Sequence, residues 1–588
     1  MNIFLPSTSI KSWFVRHGFA LFFAFLVGML SVAPHLLAVR ALGSDYRGIP
    51  FMYLDDEDLY LVRMQEIRDG HPKVGSPMLF ENKDFNSPVA PIAENVYVLF
   101  SSILRVGLPQ ILILTKFLFP AVLCLLIYFF IRRLTDDAWS SIAGALLITL
   151  AYDLTLPQTL LSWFRGEDIG LGLSLWTRPV NPITGGILLF CWLNLVWDFV
   201  KCRRSLRIIL AGLVNAAMVG YFFSWGLVAT VTFFLFVFYA IQRKWRVVRD
   251  LVFVVLIAIL ASSSYWIAAI RAVSGNEGRV FSLRNGMLLT HSPLLNKTLF
   301  LALFLCCAVI AFECIRKKNL REIVVQDWLV FCAALLFGGL LALNQQVLTG
   351  RTIWPYHFVQ YTKPFAVIVI MVVFSRLIRP NFSKIWKSFI CVAVLFSIAS
   401  GIIPATQTRA SDSDFRSRQK DAVLFDWLKA NAPSDCVVLV REPVERLGRL
   451  IPAFTSCNVY SSSYIFFGVP TERLLHNLFV HLRMSGVLPE KAEEYLREHH
   501  DLVRAYFYED WKQLLNGSPD AWSDAQAANL ARGYADFVTK SFGDELRRYR
   551  VDYISNTEPM EPSLISQLQL EYTGEFGGTW LYRVIAKP

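Results

Sequence analysis

Hydrophobic residues in this chain form long runs that shorter polar segments separate. The first run, from Phe19 to Val39, has the length of about 20 residues that a bilayer-spanning helix needs, and it exceeds the hydrophobic part of a cleaved signal peptide. The same reasoning predicts further spanning helices near 109–131, 137–155, 183–200, 206–223, 226–241, 250–270, 297–315, 327–345, 364–379 and 387–404. The pattern therefore predicts about eleven membrane spans.

The positions of the basic residues predict the orientation of these spans. Loops on the cytoplasmic side of a membrane carry an excess of Lys and Arg. Basic clusters at alternate loops agree with one arrangement, which has the N-terminus in the cytoplasm: Arg132-Arg133, Lys201 to Arg207, Arg243 to Arg249, Arg316 to Arg321 and Arg379 to Lys387. The loops 40–108, 156–182, 271–296 and 346–363 then lie outside, where we expect the functional groups.

Composition supports a membrane protein and excludes two other classes. The 588 residues are 55% hydrophobic and only 18% charged, which is too apolar for a soluble multidomain protein. The net charge of +11 comes from clusters between apolar runs, as topology requires, and not from a basic recognition face. We therefore predict an integral, multi-pass membrane protein with no nucleic-acid partner.

A change to polar sequence near Ala405 marks a domain boundary. We predict a transmembrane domain over 1–404 and a soluble domain over 405–588, outside the cytoplasm because the number of spans is odd. Helical spacing at 423–428 and strand-like runs at 436–440, 551–554 and 580–585 predict an α/β fold for the second domain. The predicted fold class is an α-helical polytopic membrane protein with a C-terminal extracytoplasmic α/β domain.

Two cysteines, Cys436 and Cys457, fall in the predicted C-terminal domain. An oxidising compartment would allow them to pair, whereas two buried free thiols are the alternative. The sequence leaves both open.

The run Asp55-Asp56-Glu57-Asp58 follows the first span closely and opens a short predicted helix that ends near Gly70. One or two of these acids are explained by capping and by the positive end of the helix dipole. Four acids close to a membrane surface are more than capping requires, and ionisable groups there are usually functional. Asp55 and Asp56 are the candidate catalytic residues, and Asp58 is a candidate substrate-binding residue.

Two other outer loops supply candidate substrate-binding residues. The first loop contains Glu167 and Asp168, followed by Arg178, and the second contains Arg351 and His357. A surface ion-pair cluster and a structural histidine are the alternatives. If the loops fold towards the acidic run, they form a site with carboxylates for a base or a divalent cation and with basic groups for a lipid phosphate.

This layout resembles the GT-C superfamily of membrane glycosyltransferases. The residues that carry the resemblance are Asp55 to Asp58 with Tyr60 and the Asp69-Gly70 end, then Glu167-Asp168 and the segment from Asn344 to His357. The resemblance implies a polyprenyl-phosphate-linked sugar donor and inverting transfer to a glycan, lipid or protein acceptor outside the cytoplasm. The C-terminal domain contains no Trp-Trp-Asp triplet like that of the oligosaccharyltransferases.

In the implied reaction, Asp55 or Asp56 acts as the base, and Arg351, His357 or a bound cation stabilises the departing lipid phosphate. The sequence does not decide whether a metal takes part. Two alternatives belong to other classes: a transporter or flippase of a lipid-linked sugar, and a non-catalytic assembly protein of the cell envelope. A transporter predicts charges within the spans and internal symmetry, and the sequence contains no repeat.

Overall fold

The computed structural model describes residues 10–53, 57–87, 89–155, 174–274, 287–317, 326–380, 382–407, 412–441, 446–461, 468–499, 502–503 and 524–585, with isolated positions at 159, 161, 162, 165, 278 and 282. Helices dominate the first four hundred residues because a chain in lipid must satisfy its backbone hydrogen bonds internally. Their bounds are α1 Ile10–Leu42, α2 Glu57–Arg68, α3 Ile92–Leu104, α4 Leu108–Thr135, α5 Ala138–Thr149, α6 Ile183–Lys201, α7 Ser205–Ala217, α8 Phe222–Ile241, α9 Trp245–Val273, α10 Lys297–Lys317, α11 Asp327–Leu343, α12 Gln346–Thr349, α13 Tyr356–Val373 and α14 Ser383–Gln407.

All eleven predicted spans contain a helix. Among the described residues, seven helical segments are long and apolar enough to cross a membrane, at Lys11–Asp45, Leu108–Thr135, Ile183–Lys201, Phe222–Ile241, Trp245–Val273, Tyr356–Ile378 and Ser383–Thr406. The other four predicted spans correspond to shorter apolar helices, at Ala138–Thr149, Ser205–Gly220, Lys297–Phe312 and Asp327–Leu343. The chain is therefore a multi-pass integral membrane protein, as predicted.

Several of the basic clusters meet at one end of the helical body, which we call the basic end. Arg133 on α4 pairs with Asp198 on α6 (Nε to Oδ1, 2.9 Å), and Arg203 pairs with Asp250 on α9 (Nε to Oδ2, 3.0 Å). Asp327, the first residue of α11, lies between Lys201 and Lys244. These contacts agree with the predicted placement of the basic loops on one side.

The opposite end carries α2, α3 and the loops around them, and we call it the acidic end after Glu57, Asp58 and Glu94. A short antiparallel ribbon also lies in the outer loops, formed by β1 (Met287–Leu289) and β2 (Arg351–Ile353).

The C-terminal domain is an α/β unit, as the sequence predicts. Its helices are α15 Asp412–Asn431, α16 Arg446–Phe454, α17 Thr471–Met484, α18 Ala492–Glu498, α19 Asp524–Val538, α20 Phe542–Leu546 and α21 Pro562–Leu568. Its strands are β3 Val437–Val440, β4 Asn458–Val459, β5 Tyr553–Asn556, β6 Leu570–Phe576 and β7 Thr579–Val584. The strand order is β4-β3-β5-β7-β6, with β3 parallel to β4 and β5, and β7 antiparallel to both neighbours.

Cys436 and Cys457 form a disulfide that joins the residues just before β3 and β4. Of the two alternatives left open by the sequence, the structure contains the disulfide. It closes the chain across the α16 segment and ties the two parallel strands at their starts.

Candidate functional site

The acidic run opens α2, as predicted, and the helix stops where expected. Acidic residues in the first turn favour the positive end of the helix dipole. The helix ends at Arg68, and Gly70 follows with φ of +104°, a conformation that side chains with a Cβ rarely adopt. Asp55 and Asp56 lie outside the described residues, so their catalytic role stays a prediction.

Glu57 forms a fully buried ion pair with Lys116 of α4. The Glu57 Oε2 to Lys116 Nζ distance is 2.6 Å, and the two side chains are 0% and 1% exposed. Lys116 also donates to the Phe51 carbonyl at 3.3 Å, and its Nζ lies 3.5 Å from the centre of the Tyr53 ring. A charge inside a span is costly unless it is paired, and this pair fastens the start of α2 to the helical body.

Asp58 connects the same helix to the C-terminal domain. Its Oδ1 accepts a hydrogen bond from the Leu59 backbone N–H at 2.8 Å, and its Oδ2 lies 3.2 Å from Nε of Arg449 on α16. The side chain is 2% exposed. Asp58 is thus enclosed by a basic partner, and its predicted role in substrate binding is not tested by this contact.

More contacts hold the first outer loop against the C-terminal domain. Gln419 Nε2 donates to the Ile49 carbonyl at 3.0 Å, and Asn82 Nδ2 donates to the Gly468 carbonyl at the same distance. Lys83 pairs with Asp435. The acidic end and the C-terminal domain therefore lie on the same side of the membrane body.

Glu66 on α2 is a buried acid within this contact region. Its Oε2 has no hydrogen-bond partner among the described residues, and the residue is 6% exposed. Burial raises the pKa of the Glu66 carboxyl to about 8; Lys83 opposes this change, and Asp69, Asp435 and Asp84 add to it. The side chain is consequently neutral below that pH.

The second outer loop meets the first at Arg178. Its guanidinium carbon lies 5.5 Å from the centre of the Tyr60 ring on α2, within the range of a cation–π contact. The segment before it is anchored by Trp176, which is fully buried and donates from Nε1 to the Ile148 carbonyl at 2.7 Å. Glu167 and Asp168 lie outside the described residues, and their predicted role stays a prediction.

The third outer segment joins the same place through α13. Tyr361 donates from its hydroxyl to Asn181 Oδ1 at 3.0 Å, and the charge of Arg178 acts on the His357 ring. That ring is stacked on Phe223 with a centroid distance of 4.8 Å, and its Nδ1 is buried without a hydrogen-bond partner in the described part of the chain. Arg178 and His357, both predicted substrate-binding residues, thus lie on two segments that the hydrogen bond of Tyr361 joins, and Arg178 also contacts Tyr60.

Arg351 lies elsewhere in the outer loops. It is an exposed residue of β2, paired with Leu289 of β1. The structure supplies no contact between its side chain and the cluster around Arg178, so its predicted role stays a prediction.

A metal centre has no ligand set in the described residues. No group of three or more His, Cys, Asp or Glu side chains there is arranged to hold a metal ion. Four of the predicted acids lie outside those residues, so the divalent cation remains the open alternative that the sequence leaves.

Sequence reasoning missed several residues of this region. Lys116 had a visible signal, since a lysine within an apolar run must be paired or functional. Arg449 and Glu66 had none, because their environment is created by contacts between distant parts of the chain.

Comparison with protein-family models finds no match, and neither does comparison with curated proteins. Solved structures similar to the chain include the oligosaccharyltransferase of Archaeoglobus fulgidus in the apo form, with 12% identity, a TM-score of 0.44, and coverage of 94% of this chain and 70% of that one. They also include ArnT from Cupriavidus metallidurans bound to undecaprenyl phosphate, with 11% identity, a TM-score of 0.46, and coverage of 98% and 99%. At this identity and TM-score, the likeness assigns no activity to this chain.

Proposed function

We propose that this protein is a membrane glycosyltransferase that moves a sugar from a polyprenyl-phosphate-linked donor to an acceptor outside the cytoplasm, with inversion at the anomeric carbon. The observation that supports it best is the convergence of three outer segments at the acidic end. Arg178 from the second loop contacts Tyr60 beside the acidic run, and Asn181 of the same loop accepts a hydrogen bond from Tyr361 on α13, the helix that carries His357. We propose that these groups act together with the carboxylates of the neighbouring acidic run, so that the site holds both a base and groups that bind an anion.

In this reaction the acceptor hydroxyl attacks the anomeric carbon as its proton passes to Asp55 or Asp56. The bond between that carbon and the phosphate oxygen breaks, and the lipid phosphate leaves with the bonding electrons. Arg178 and His357 are the described groups that we assign to stabilising this charge, with Arg351 as a further candidate. Asp58, Glu167 and Asp168 are proposed to bind the sugar.

We further propose that the acidic end and the C-terminal domain face the outside of the bacterial inner membrane and that the basic end faces the cytoplasm. Five basic clusters at alternate loops support this orientation. Reporter fusions within Arg243 to Arg249 should give a cytoplasmic signal, and fusions after Ser411 an external one. An external signal from the first fusion would contradict the orientation.

Substitution of the two candidate bases tests the activity. Asn at position 55 or 56 keeps a side-chain oxygen that can cap a helix but removes the charge. With Asp55→Asn or Asp56→Asn we expect transfer from a polyprenyl-phosphate sugar to fall about 100-fold or more, the scale of general-base catalysis, with unchanged thermal stability. Asp45→Asn, an exposed acid in the same outer loop, is the matched control. Normal transfer by both single variants and by the double variant would show that the active site does not lie in the run from Asp55 to Asp58.

The same assay separates the rival functions. A flippase of a lipid-linked sugar would move the donor across a vesicle membrane without consuming it, whereas a glycosyltransferase releases the polyprenyl phosphate. An assembly protein would do neither. Lipid-linked sugars that accumulate in a deletion strain would identify the donor.

A further inference from the structure

A second buried lysine lies on α13, and it lacks the partner that Lys116 has. Lys363 is 4% exposed, yet no carboxylate oxygen of the described residues lies within 4.0 Å of its ammonium. The contact that the structure does provide is aromatic: Nζ lies 4.1 Å from the centre of the Tyr152 ring. Lys363 is therefore an enclosed cation without an ion pair in the described part of the chain.

The aromatic wall against Lys363 is held in place on two sides. The Tyr152 hydroxyl donates to the Val359 carbonyl of α13 at 3.3 Å, and the ring packs edge-on against Trp176 with a centroid distance of 5.9 Å. Trp176 is itself fixed by its hydrogen bond to Ile148. The ring that faces the ammonium is thus rigid, and the position of the charge is defined.

A largely buried ammonium that lacks an anion is unfavourable because burial removes much of its hydration. A cation–π contact offsets only part of this cost. Lys363 is seven residues from the first residue of α13, about 10 Å along the helix axis, and lysines near the ends of spanning helices extend their ammonium groups towards the interface. A phosphate group is therefore the anion that we expect beside Lys363.

We propose that Lys363 binds the phosphate of the lipid-linked donor, with the Tyr152 ring holding the ammonium in position. This inference deepens the proposed function and rests on it. Lysine binds phosphate as a point charge, and a bound phosphate would neutralise the buried cation. The phosphate is the shared chemistry, whether it belongs to a lipid or is free in solution.

Asp153 provides the competing explanation. It follows Tyr152 directly, and its charge acts on Lys363, although no ion pair within 4.0 Å forms. If Lys363 served only to balance Asp153, removal of either charge would destabilise the protein and leave phosphate binding unchanged. If Lys363 binds phosphate, Asp153→Asn should tighten binding, because it removes a negative charge near the bound anion.

The test measures binding of a polyprenyl monophosphate to the purified full-length protein in detergent, by its effect on the thermal unfolding temperature and by direct titration. We expect Lys363→Met to weaken binding at least tenfold and to leave the ligand-free protein as stable as the wild type or more so. Lys363→Arg should bind within a few-fold of the wild type. Lys297→Met, an exposed lysine at the start of α10, is the control and should bind normally.

Two further ligands identify what Lys363 recognises. The corresponding polyprenol, which has no phosphate, should bind the wild type and Lys363→Met equally. Inorganic phosphate that displaces the lipid at similar concentration would show that the site takes free phosphate, and no displacement would show that it requires the lipid-linked form. Both results support an anion site at Lys363.

Unchanged binding of polyprenyl monophosphate by Lys363→Met would overturn the inference, and so would destabilisation by both Lys363→Met and Asp153→Asn with no effect on binding. A wild-type protein that binds no polyprenyl monophosphate also overturns it. The proposed function is tested separately, by measuring sugar transfer by the wild type. If the Lys363→Met variant transferred sugar as fast as the wild type, the proposed glycosyltransferase function would stand and only the role of Lys363 would be rejected.

Discussion

The two ends of the helical body treat charge differently. At the basic end, Lys201 and Asp327 are 48% and 16% exposed, and Asp327 has a second partner in Lys244. At the acidic end, Lys116 and Glu57 are 1% and 0% exposed. In the first pair water shares in balancing the charges, whereas the second pair is enclosed and depends on contacts within the protein.

The difference also separates the part of the acidic end that fastens the fold from the part to which we assign a function. The pairs Glu57–Lys116 and Arg63–Glu94 (2.6 Å each) fasten α2 to the helices beside it. His357 Nδ1 has no hydrogen-bond partner among the described residues, and Lys363 has no ion pair there. Substitutions in the first group should change stability, and those in the second should change binding or transfer.

The largest expected effect on stability is at Lys116. Lys116→Met leaves Glu57 buried without its cation, and breaking a buried pair in this way costs about 3–5 kcal/mol of unfolding free energy. Denaturation of the purified protein in detergent measures the change. The double variant Lys116→Met with Glu57→Gln should recover much of the loss. A loss below about 1 kcal/mol for the single variant would contradict the enclosed pair.

A pH dependence should arise from Glu66, whose pKa in the folded protein is about 8. The unfolded chain has an ordinary Glu pKa, about 4.3, so between these values the folded state binds one more proton than the unfolded state. Stability should therefore fall as pH rises, by about 1.4 kcal/mol per pH unit at most, or about 2–3 kcal/mol from pH 6 to 8. Above the folded pKa, this contribution stays constant.

Glu66→Gln is the control for this dependence. It keeps the shape of the side chain and removes the titration, so the slope between pH 6 and 8 should decrease by the same amount. Equal slopes for the variant and the wild type would show that other groups cause the dependence.

A smaller effect is expected at Asp58, where the acidic end meets the C-terminal domain. Asp58→Asn keeps an acceptor for the Leu59 N–H and removes the charge that faces Arg449, whose side chain is partly exposed. The expected loss is about 1 kcal/mol, the upper end of the range for an ion pair with a partly exposed partner. Hydrogen exchange in α16 should speed up selectively, and unchanged exchange there would argue against the contact.

The smallest effect is expected at the basic end. Lys201→Met should cost less than about 1 kcal/mol, because the pair is half-exposed and Asp327 keeps Lys244. The same denaturation measurement checks this value. If Lys201→Met lowered the unfolding free energy as much as Lys116→Met does, the proposed difference between the two ends would be wrong.

Much of the architecture could be predicted from local sequence. Each of the eleven apolar runs contains a helix, and 436–440, 551–554 and 580–585 mark three of the strands in the C-terminal sheet. Strand β6 was not predicted: it is largely exposed, and an irregularity between Tyr572 and Gly574 shifts its register with β7. A strand that buries little apolar surface carries a weak hydrophobic signal.

The sequence by itself determined where the membrane helices lie and which loops carry the basic clusters. Helix hydrogen bonds are local, and the cost of placing a charge in lipid acts on each segment separately. The partners of the charged residues were decided only by the tertiary structure. Glu57 meets Lys116, Asp58 meets Arg449, and Lys363 meets an aromatic ring where a carboxylate would be expected. Such contacts depend on how the helices and the C-terminal domain pack, and packing between distant segments leaves no periodic pattern in the chain.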